Sequence, residues 1–366
     1  CTSWAEPVLL SECESTELSE SSGLAWSRNR PGVWFTHNDA GGSARLYAFT
    51  EDGTHIGSHD VLGGGFRDWE DMTTGPCPDG IDADPCIYIG DVGDNGSTRA
   101  EVEVFVVPEP EADEPVNVLT SWRLRYPGSA RDAEAIAVHP CTGGVTIVTK
   151  ARDGAPEVFR LPSTPTGVES SAEVLYVASL PRDWFRGSGL ITSADWSASG
   201  DRFVVRTYDG AWIWETDPAD PDGHWSVPPT EVPIDIAGQG ETIAFHPDGG
   251  LLTTTERVPM RIVRQECLDS IEAPECPPPD EEPGDTGTPT DTGEPDDSGE
   301  PVDTDEPDDD TDEPEVVTDS GTTPAAGLDD GEGGGKDTSC GSAGGALALL
   351  LIGLPAARRR REHPTA

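Results

Sequence analysis

The residues with the clearest chemistry in this sequence are carboxylic acids that recur at the start of similar segments. Five segments begin alike: ESSGLAWS, DWEDMTTG, DAEAIAVH, TSADWSASG and QGETIAFHPDG. The acids at or near their starts are Glu20, Asp68, Glu70, Asp132, Glu134, Asp195 and Glu241. Carboxylates gathered in one place cannot all stay ionised without compensation, so cations, protons or basic side chains must accompany them.

Two interpretations of these acids stand side by side. Oxygen donors with few histidines favour Ca²⁺ over transition metals. The candidate Ca²⁺ ligands are Asp68, Glu70, Asp91, Asp132, Glu134, Asp195 and Glu241. Alternatively, the acids form a structural network of salt bridges and backbone caps. The bases available for that network are Arg67, Arg131, Lys150 and Arg206.

Three further residues, His37, Lys150 and Arg206, are candidates for binding a ligand or an anion. Together with Ca²⁺ they would suit a hydrolase of phosphate esters or related bonds, because the metal polarises the substrate. The chain contains no Gly-x-Ser-x-Gly, His-Glu-x-x-His or P-loop motif, which argues against serine hydrolases, zincins and nucleotide-binding proteins. The sequence leaves open whether the protein is an enzyme or a binding protein.

The acid-bearing segments are predicted to be the first strands of repeated units. Their starts are 48, 64, 60 and 47 residues apart, and further short β-rich stretches follow each one. Four-stranded units repeating at this distance are typical of an all-β fold, the β-propeller, in which the first strands line a central channel. We expect five four-stranded blades, with six as the alternative. Glu6–Glu12 is predicted to be the outer strand of the last blade, so that the ring closes without a free sheet edge.

The composition divides the 366 residues into three regions. Residues 1–276 hold all ten tryptophans, with 46 acidic against 18 basic residues, and form the propeller domain. Residues 277–338 are rich in Asp, Glu, Pro, Thr and Gly, which predicts a disordered acidic stalk. Residues 339–366 combine a short apolar stretch with four arginines, which predicts a sorting or membrane-anchor segment. The net charge of −47 excludes nucleic acid as a partner, because phosphates repel an acidic surface.

The eight cysteines point to an oxidising compartment. An even number of cysteines in an exported protein predicts disulfides. Cys77 with Cys86, and Cys267 with Cys276, would each close a short loop, while Cys13 and Cys141 pair or remain free. Cys1, followed by Thr2 and Ser3, resembles the lipidated start of a bacterial lipoprotein; the alternative is trimming next to a cysteine.

Longer stretches carry a resemblance to known families, among them GLAWSRNRPGVWFTHNDAGG, YIGDVGDNGSTR and DAEAIAVHPCTGG. Over residues 17–265 the chain resembles exported bacterial propellers similar to the esterase-like phytase and TolB-like groups. The end of the chain resembles the MYXO-CTERM type of sorting signal, which implies that Cys340 is the processing or attachment site. The alternative for this end is a plain single-pass anchor.

These features together predict location and function. We expect a protein displayed at the cell surface or outer membrane of a Gram-negative bacterium. It would be anchored through the C-terminal segment and a lipid on Cys1. Its propeller, with Ca²⁺ in an acidic channel, would bind an unidentified surface ligand or protein partner. The alternative is a Ca²⁺-dependent hydrolase that acts on phosphate esters at the channel mouth.

Overall fold

Each repeated segment forms the inner strand of a separate antiparallel sheet, and the protein is a five-bladed β-propeller. The computed structural model describes residues 1–269, apart from 40–41, 84, 112–113, 162–169, 218–219 and 221. The predicted stalk and the C-terminal segment, with Cys276 and Cys340, lie outside the described residues.

The strands follow one another from the channel outward in each blade. Blade 1 contains β2 (Ser21–Trp26), β3 (Val33–Asn38), β4 (Arg45–Thr50) and β5 (His55–Leu62). Blade 2 contains β6 (Asp71–Gly75), β7 (Cys86–Asp91), β8 (Val102–Pro108) and β10 (Thr120–Arg125). Blade 3 contains β11 (Ala133–Val138), β12 (Val145–Thr149), β13 (Glu157–Arg160) and β15 (Leu175–Ser179). Blade 4 contains β16 (Ile191–Trp196), β17 (Arg202–Thr207), β18 (Gly210–Glu215) and β19 (Thr230–Val232). Blade 5 contains β20 (Ala244–Phe245), β21 (Leu251–Thr254), β22 (Met260–Gln265) and β1 (Val8–Cys13).

Two blades carry a fifth, parallel strand that the sequence pattern did not indicate. β9 (Val116–Asn117) pairs with β5, and β14 (Ser170–Glu173) pairs with β10. β9 lies in the connection between β8 and β10 of blade 2 and joins blade 1, and β14 lies in the connection between β13 and β15 of blade 3 and joins blade 2. They cover outer edges whose unpaired backbone groups would otherwise be free to pair with another chain.

The ring closes as the sequence predicted. β1 pairs antiparallel with β22, from Val8 opposite Arg264 to Cys13 opposite Met260. A disulfide between Cys1 and Cys267 holds the same seam covalently. The blade therefore joins the two ends of the described region, and no sheet edge is left open at this point.

The disulfides correct part of the cysteine prediction. The Cys77–Cys86 bond is confirmed, but pairing of Cys267 with Cys276 is wrong, because Cys267 is bonded to Cys1. The sulfur of Cys1 is occupied by that bond, so a thioether-linked lipid at Cys1 would require the disulfide to be absent. Cys13 and Cys141 are also disulfide-bonded, which rules out the alternative that they are free.

Apolar residues pack between the blades, with one cluster at each of the five junctions. Strands whose two faces both meet a neighbouring blade are buried on both sides, because successive side chains point in opposite directions. One cluster joins Phe35 and Met72 between blades 1 and 2, and another joins Val148 and Phe203 between blades 3 and 4. The other junctions are centred on Trp122, Ile213 and Phe49. Because every blade is held by both of its neighbours, the inner strand ends have fixed positions around the channel.

Helical structure is minor in the described part of the chain. It consists of two short 3₁₀ helices, Arg182–Trp184 and Gly223–Ser226. Among the residues that the structure describes, no helix has the length and apolar character needed to cross a membrane.

Candidate functional site: the acidic mouth of the channel

The predicted acids gather at the end of the propeller where the inner strands begin, here called the acidic mouth. Asp68 and Glu70 precede β6, Asp132 precedes β11, Glu134 is its second residue, and Glu241 precedes β20. Their charges act on one another: Glu70 feels Glu134 and Asp68, and Glu134 feels Glu241 and Asp132. The repeat thus brings acids from blades 2, 3 and 5 to one face, as the sequence predicted.

Three carboxylates form a tight group in the acidic mouth, here called the carboxylate triad. One oxygen atom from each of Asp39, Asp68 and Glu70 lies within 4.8 Å of the others. The backbone fixes all three, since Asp39 N–H donates to Glu20 (2.9 Å), Glu70 N–H donates to Gly90 (3.0 Å), and the Asp68 carbonyl accepts from Gly93 (3.2 Å). Three converging carboxylate oxygens are the donor set that Ca²⁺ prefers.

Glu70 is the most unusual member of the carboxylate triad. Its side chain is only 5% exposed, yet its carboxylate makes no hydrogen bond or ion pair with any residue that the structure describes. Burial, followed by the charges of Glu134, Asp39 and Asp68, raises the pKa of Glu70 well above its ordinary value. A buried carboxylate without a partner is costly, and a bound cation would remove that cost.

Gly93 forms the wall of the carboxylate triad and has to lack a side chain. A Cβ atom at this position would lie 2.1 Å from Oε1 of Glu70 and 2.5 Å from Oδ2 of Asp68. Both distances are below any real contact, so the carboxylates occupy the space that a side chain would fill. The turn Asp91–Asn95 therefore brings its backbone close to the two carboxylates at Gly93.

Three other predicted Ca²⁺ ligands have protein partners instead. Asp91 pairs with Nη2 of Arg99 at 2.6 Å and accepts the Arg67 N–H at 2.9 Å. Glu134 is paired with Nζ of Lys150, which also donates to the hydroxyl of Tyr208 at 3.0 Å. Asp195 accepts from Oγ1 of Thr73 at 3.0 Å and from the N–H of Phe245 at 2.8 Å.

Asp195 has a counterpart that sequence reasoning missed. Asp71 is fully buried and accepts hydrogen bonds from the backbone N–H groups of Ile136 (3.1 Å) and Ala194 (3.0 Å) and from the hydroxyl of Ser193 (3.1 Å). Together these two aspartates join the inner strands of blades 2, 3, 4 and 5. Burial raises the pKa of Asp195 to about 7 and that of Asp71 well above its ordinary range. They match the structural interpretation of the acids, in which carboxylates cap backbone groups.

The remaining predicted ligands, Glu241 and Asp132, lie elsewhere on the same face. Glu241 accepts from Nε2 of Gln239 at 3.1 Å and shares a hydrogen bond with Glu256. Burial and the neighbouring Glu241 raise the pKa of Glu256 to about 8. Asp132 accepts the N–H of Asp94 at 3.0 Å. Neither Asp132 nor Glu241 belongs to the carboxylate triad.

The three candidates for anion binding are engaged inside the protein. His37 is fully buried against Trp69, and burial lowers its pKa to about 4, so its ring is neutral. Arg206 is also buried and donates to the Thr242 carbonyl at 2.9 Å, and Lys150 pairs with Glu134. All three side chains therefore have internal partners, and their binding of a ligand or an anion stays a prediction.

The sequence pattern gave two of the three residues of the carboxylate triad. Asp39 was not among the candidate Ca²⁺ ligands. The signal that could have found it is its place directly after β3, at the same end of the sheet as the start of β6.

Comparisons with known proteins assign no family and no function to this chain. No family model matches the chain, and no curated protein matches it. Among solved structures, the PQQ-bound aldose sugar dehydrogenase from Streptomyces coelicolor is 11% identical, covers 73% of this chain and 99% of its own, and has a TM-score of 0.41. The apo aldose sugar dehydrogenase from Escherichia coli is 10% identical, with 71% and 99% covered and a TM-score of 0.42. The major allergen Mala s 1 from Malassezia sympodialis is 8% identical, with 72% and 97% covered and a TM-score of 0.47. No cofactor or substrate follows from similarities this low, and the resemblance to phytase-like and TolB-like propellers stays a prediction.

Proposed function

We propose that the protein is a ligand-binding propeller that holds one Ca²⁺ ion in the carboxylate triad at its acidic mouth. The observation that carries this proposal is Glu70, a buried carboxylate with no protein partner among the described residues, facing two further carboxylates within 4.8 Å. The other buried acids of the same face have basic or hydrogen-bonding partners. The carboxylate triad is therefore the place where an external cation completes the electrostatics.

The proposed role of the ion is to organise the binding face. Ca²⁺ takes six to eight oxygen ligands, so three carboxylates leave positions open for water or for oxygen atoms of a ligand. The hydrolase alternative lacks comparable support, because His37, Lys150 and Arg206 are all turned to internal partners.

Calcium titration of the full chain by isothermal calorimetry tests the proposal. We expect one high-affinity Ca²⁺ per chain. Glu70→Gln keeps the shape of the side chain but removes its charge, and we expect it to weaken binding at least about tenfold, because a charged ligand oxygen is lost. Asp132→Asn removes a charge from the same face but outside the carboxylate triad, and we expect a loss of no more than about threefold. Equal losses in the two variants would refute the assignment of the triad.

We also propose that the protein is exported and displayed at the cell surface. The Cys1–Cys267 and Cys77–Cys86 bonds support this, because disulfides persist in oxidising compartments. Proteolytic shaving of intact cells should remove the propeller, and Cys340→Ala should reduce its retention at the surface. Protection of the propeller in intact cells, with cleavage only after lysis, would contradict surface display.

A further inference from the structure

A polar cavity opens beside the acidic mouth, between blades 2 and 3. Its volume is about 250 Å³, and its walls come from the β7–β8 loop on one side and the β12–β13 loop on the other. The charged and amide side chains that line it are those of Asn95, Arg131, Asp132, Arg152, Asp153 and Glu157. It shares no residue with the carboxylate triad.

Asp132 lies in the wall of this cavity with one oxygen atom unsatisfied. The residue is 8% exposed. Oδ1 accepts the N–H of Asp94 at 3.0 Å, whereas Oδ2 is buried and accepts no hydrogen bond. The cation facing Oδ2 is Arg152, whose Nε is 3.5 Å away. At that distance the contact is an ion pair without a hydrogen bond, so the acceptor capacity of a buried carboxylate is left unused.

Arg152 spans the cavity as a displaceable side chain. It is 53% exposed, and its Nη2 donates to the side-chain oxygen of Asn95 on the opposite loop. An ion pair with so exposed a partner contributes little stability. The Arg152 guanidinium thus bridges the two loops at the cavity entrance, and little free energy is needed to displace it.

The backbone on both sides of the cavity is held in an uncommon conformation. Ser97 has φ 47° and Ala151 has φ 48°, both in the left-handed region that non-glycine residues rarely adopt. One residue lies on each of the two facing loops. Such residues persist where the surrounding structure determines them, and they concentrate at ligand sites.

We propose that this cavity binds the guanidinium group of an arginine side chain from a basic partner peptide, with Asp132 as the receiving carboxylate. Arg152 of the protein itself occupies the position in the free state. The guanidinium fork matches a carboxylate oxygen flanked by further acceptors, and Asn95 and Asp153 provide such acceptors in the same wall. The other carboxylate of the wall, Glu157, is paired with Arg131. The excess of 46 acidic over 18 basic residues in residues 1–276 attracts a basic partner from a distance.

Binding of N-acetyl-arginine amide to the full chain tests this inference. Titrations are run by calorimetry at low ionic strength, and N-acetyl-citrulline amide is the neutral ligand of nearly the same shape. We expect the arginine compound to bind and the citrulline compound to bind at least about tenfold more weakly, because the charged hydrogen bonds to Asp132 are lost.

Two substitutions are expected to act in opposite directions. Asp132→Asn should weaken binding of the arginine compound at least about tenfold. Arg152→Gln should strengthen it about two- to fivefold, because the ligand no longer displaces an internal guanidinium. Glu14→Gln removes one exposed acid far from the cavity and should leave the affinity unchanged. Since Arg152 is exposed, its variant remains informative even where Asp132→Asn fails to fold.

Equal binding of the two compounds, or a loss of affinity in Arg152→Gln, would overturn the inference. Titrations with EDTA and with saturating Ca²⁺ separate it from the proposed calcium site. Arginine binding in the Glu70→Gln variant supports the cavity even where no Ca²⁺ is bound. Calcium binding without arginine binding supports the carboxylate triad alone.

Discussion

Glu70 and Asp71 are adjacent in the sequence and both are buried, yet they lie in opposite electrostatic surroundings. Asp71 points to the centre of the propeller, where two backbone N–H groups from blades 3 and 4 and a serine hydroxyl donate to it. Glu70 points to the acidic mouth, where two more carboxylates face it and no described residue donates to it. A buried acid can therefore be either a structural residue or a candidate cation ligand. The two roles are distinguished by whether protein groups donate hydrogen bonds to the carboxylate.

The largest expected effect is the loss of stability when Asp71 is substituted. Asp71→Ala removes the side-chain acceptor of three buried backbone N–H groups, those of Met72, Ile136 and Ala194. It also removes one acceptor of the Ser193 hydroxyl, and each unsatisfied buried group costs about 1–3 kcal/mol. We expect the free energy of unfolding to fall by about 3–5 kcal/mol in urea titrations of the full chain. Glu70→Gln is the matched control. In EDTA its stability should equal or exceed that of the wild type, because a repelled charge is removed. A large loss of stability in Glu70→Gln would mean that Glu70, like Asp71, stabilises the fold through its protein contacts.

Gly93→Ala tests whether the carboxylates of the acidic mouth bind Ca²⁺. The new Cβ would fall within 2.1 Å of the Glu70 carboxylate, so the carboxylates must move. Overpacking typically costs about 1–3 kcal/mol, and we expect Ca²⁺ affinity to fall about tenfold. Gly96, in the same loop, has only the Thr98 side chain and one Asp94 oxygen near its Cβ position, the closest atom at 3.5 Å, so Gly96→Ala serves as a control with unchanged affinity. An unchanged affinity in Gly93→Ala would show that the ion binds elsewhere.

The smallest expected effect is a dependence of stability on pH. Glu256 has a pKa of about 8 in the folded protein, raised by burial and by Glu241, whereas an unfolded glutamate titrates near 4.3. The folded state therefore binds more protons than the unfolded state in this range, and stability falls as pH rises. We expect the melting temperature in EDTA to decrease between pH 6.5 and 8. The decrease should be smaller in Glu256→Gln.

The pH range is chosen to exclude three buried histidines that act in the opposite direction. Burial lowers the pKa of His37 and of His139 to about 4 and that of His224 to about 3. Their effect on stability appears only below about pH 6.5, where the unfolded chain takes up protons that the folded chain does not. A melting temperature that rises between pH 6.5 and 8 would contradict the account of Glu256.

Much of the fold could be predicted from the sequence, because each blade repeats its own signal. The acid-bearing starts, the turn residues and the short β-rich stretches each mark one strand, and the closing strand β1 followed from the need to cover a sheet edge. The parallel strands β9 and β14 were not predicted, since two to four residues that pair only through tertiary proximity leave no periodic pattern.

The candidate site was only partly predictable, for a physical reason. The sequence indicates that acids meet at the acidic mouth, but not which of them already has a partner. Lys150 and Arg99 neutralise Glu134 and Asp91, and each pair forms where the ends of two strands of one blade bring the side chains together. Asp195 looked like a ligand of the channel, yet it lies among donors from Thr73 and Phe245. Its role is set by residues 50 to 122 positions away in the chain.

The most direct test of the central claim is the melting curve of the full chain and of Glu70→Gln, each with EDTA and with Ca²⁺. A ligand that binds the folded state alone stabilises it by about 2.7 kcal/mol at a concentration of 100 times its Kd. We expect Ca²⁺ to raise the stability of the wild type by an amount of this order and to leave Glu70→Gln nearly unchanged. Equal stabilisation of both proteins, or none of either, would contradict the assignment of a Ca²⁺ site to Asp39, Asp68 and Glu70.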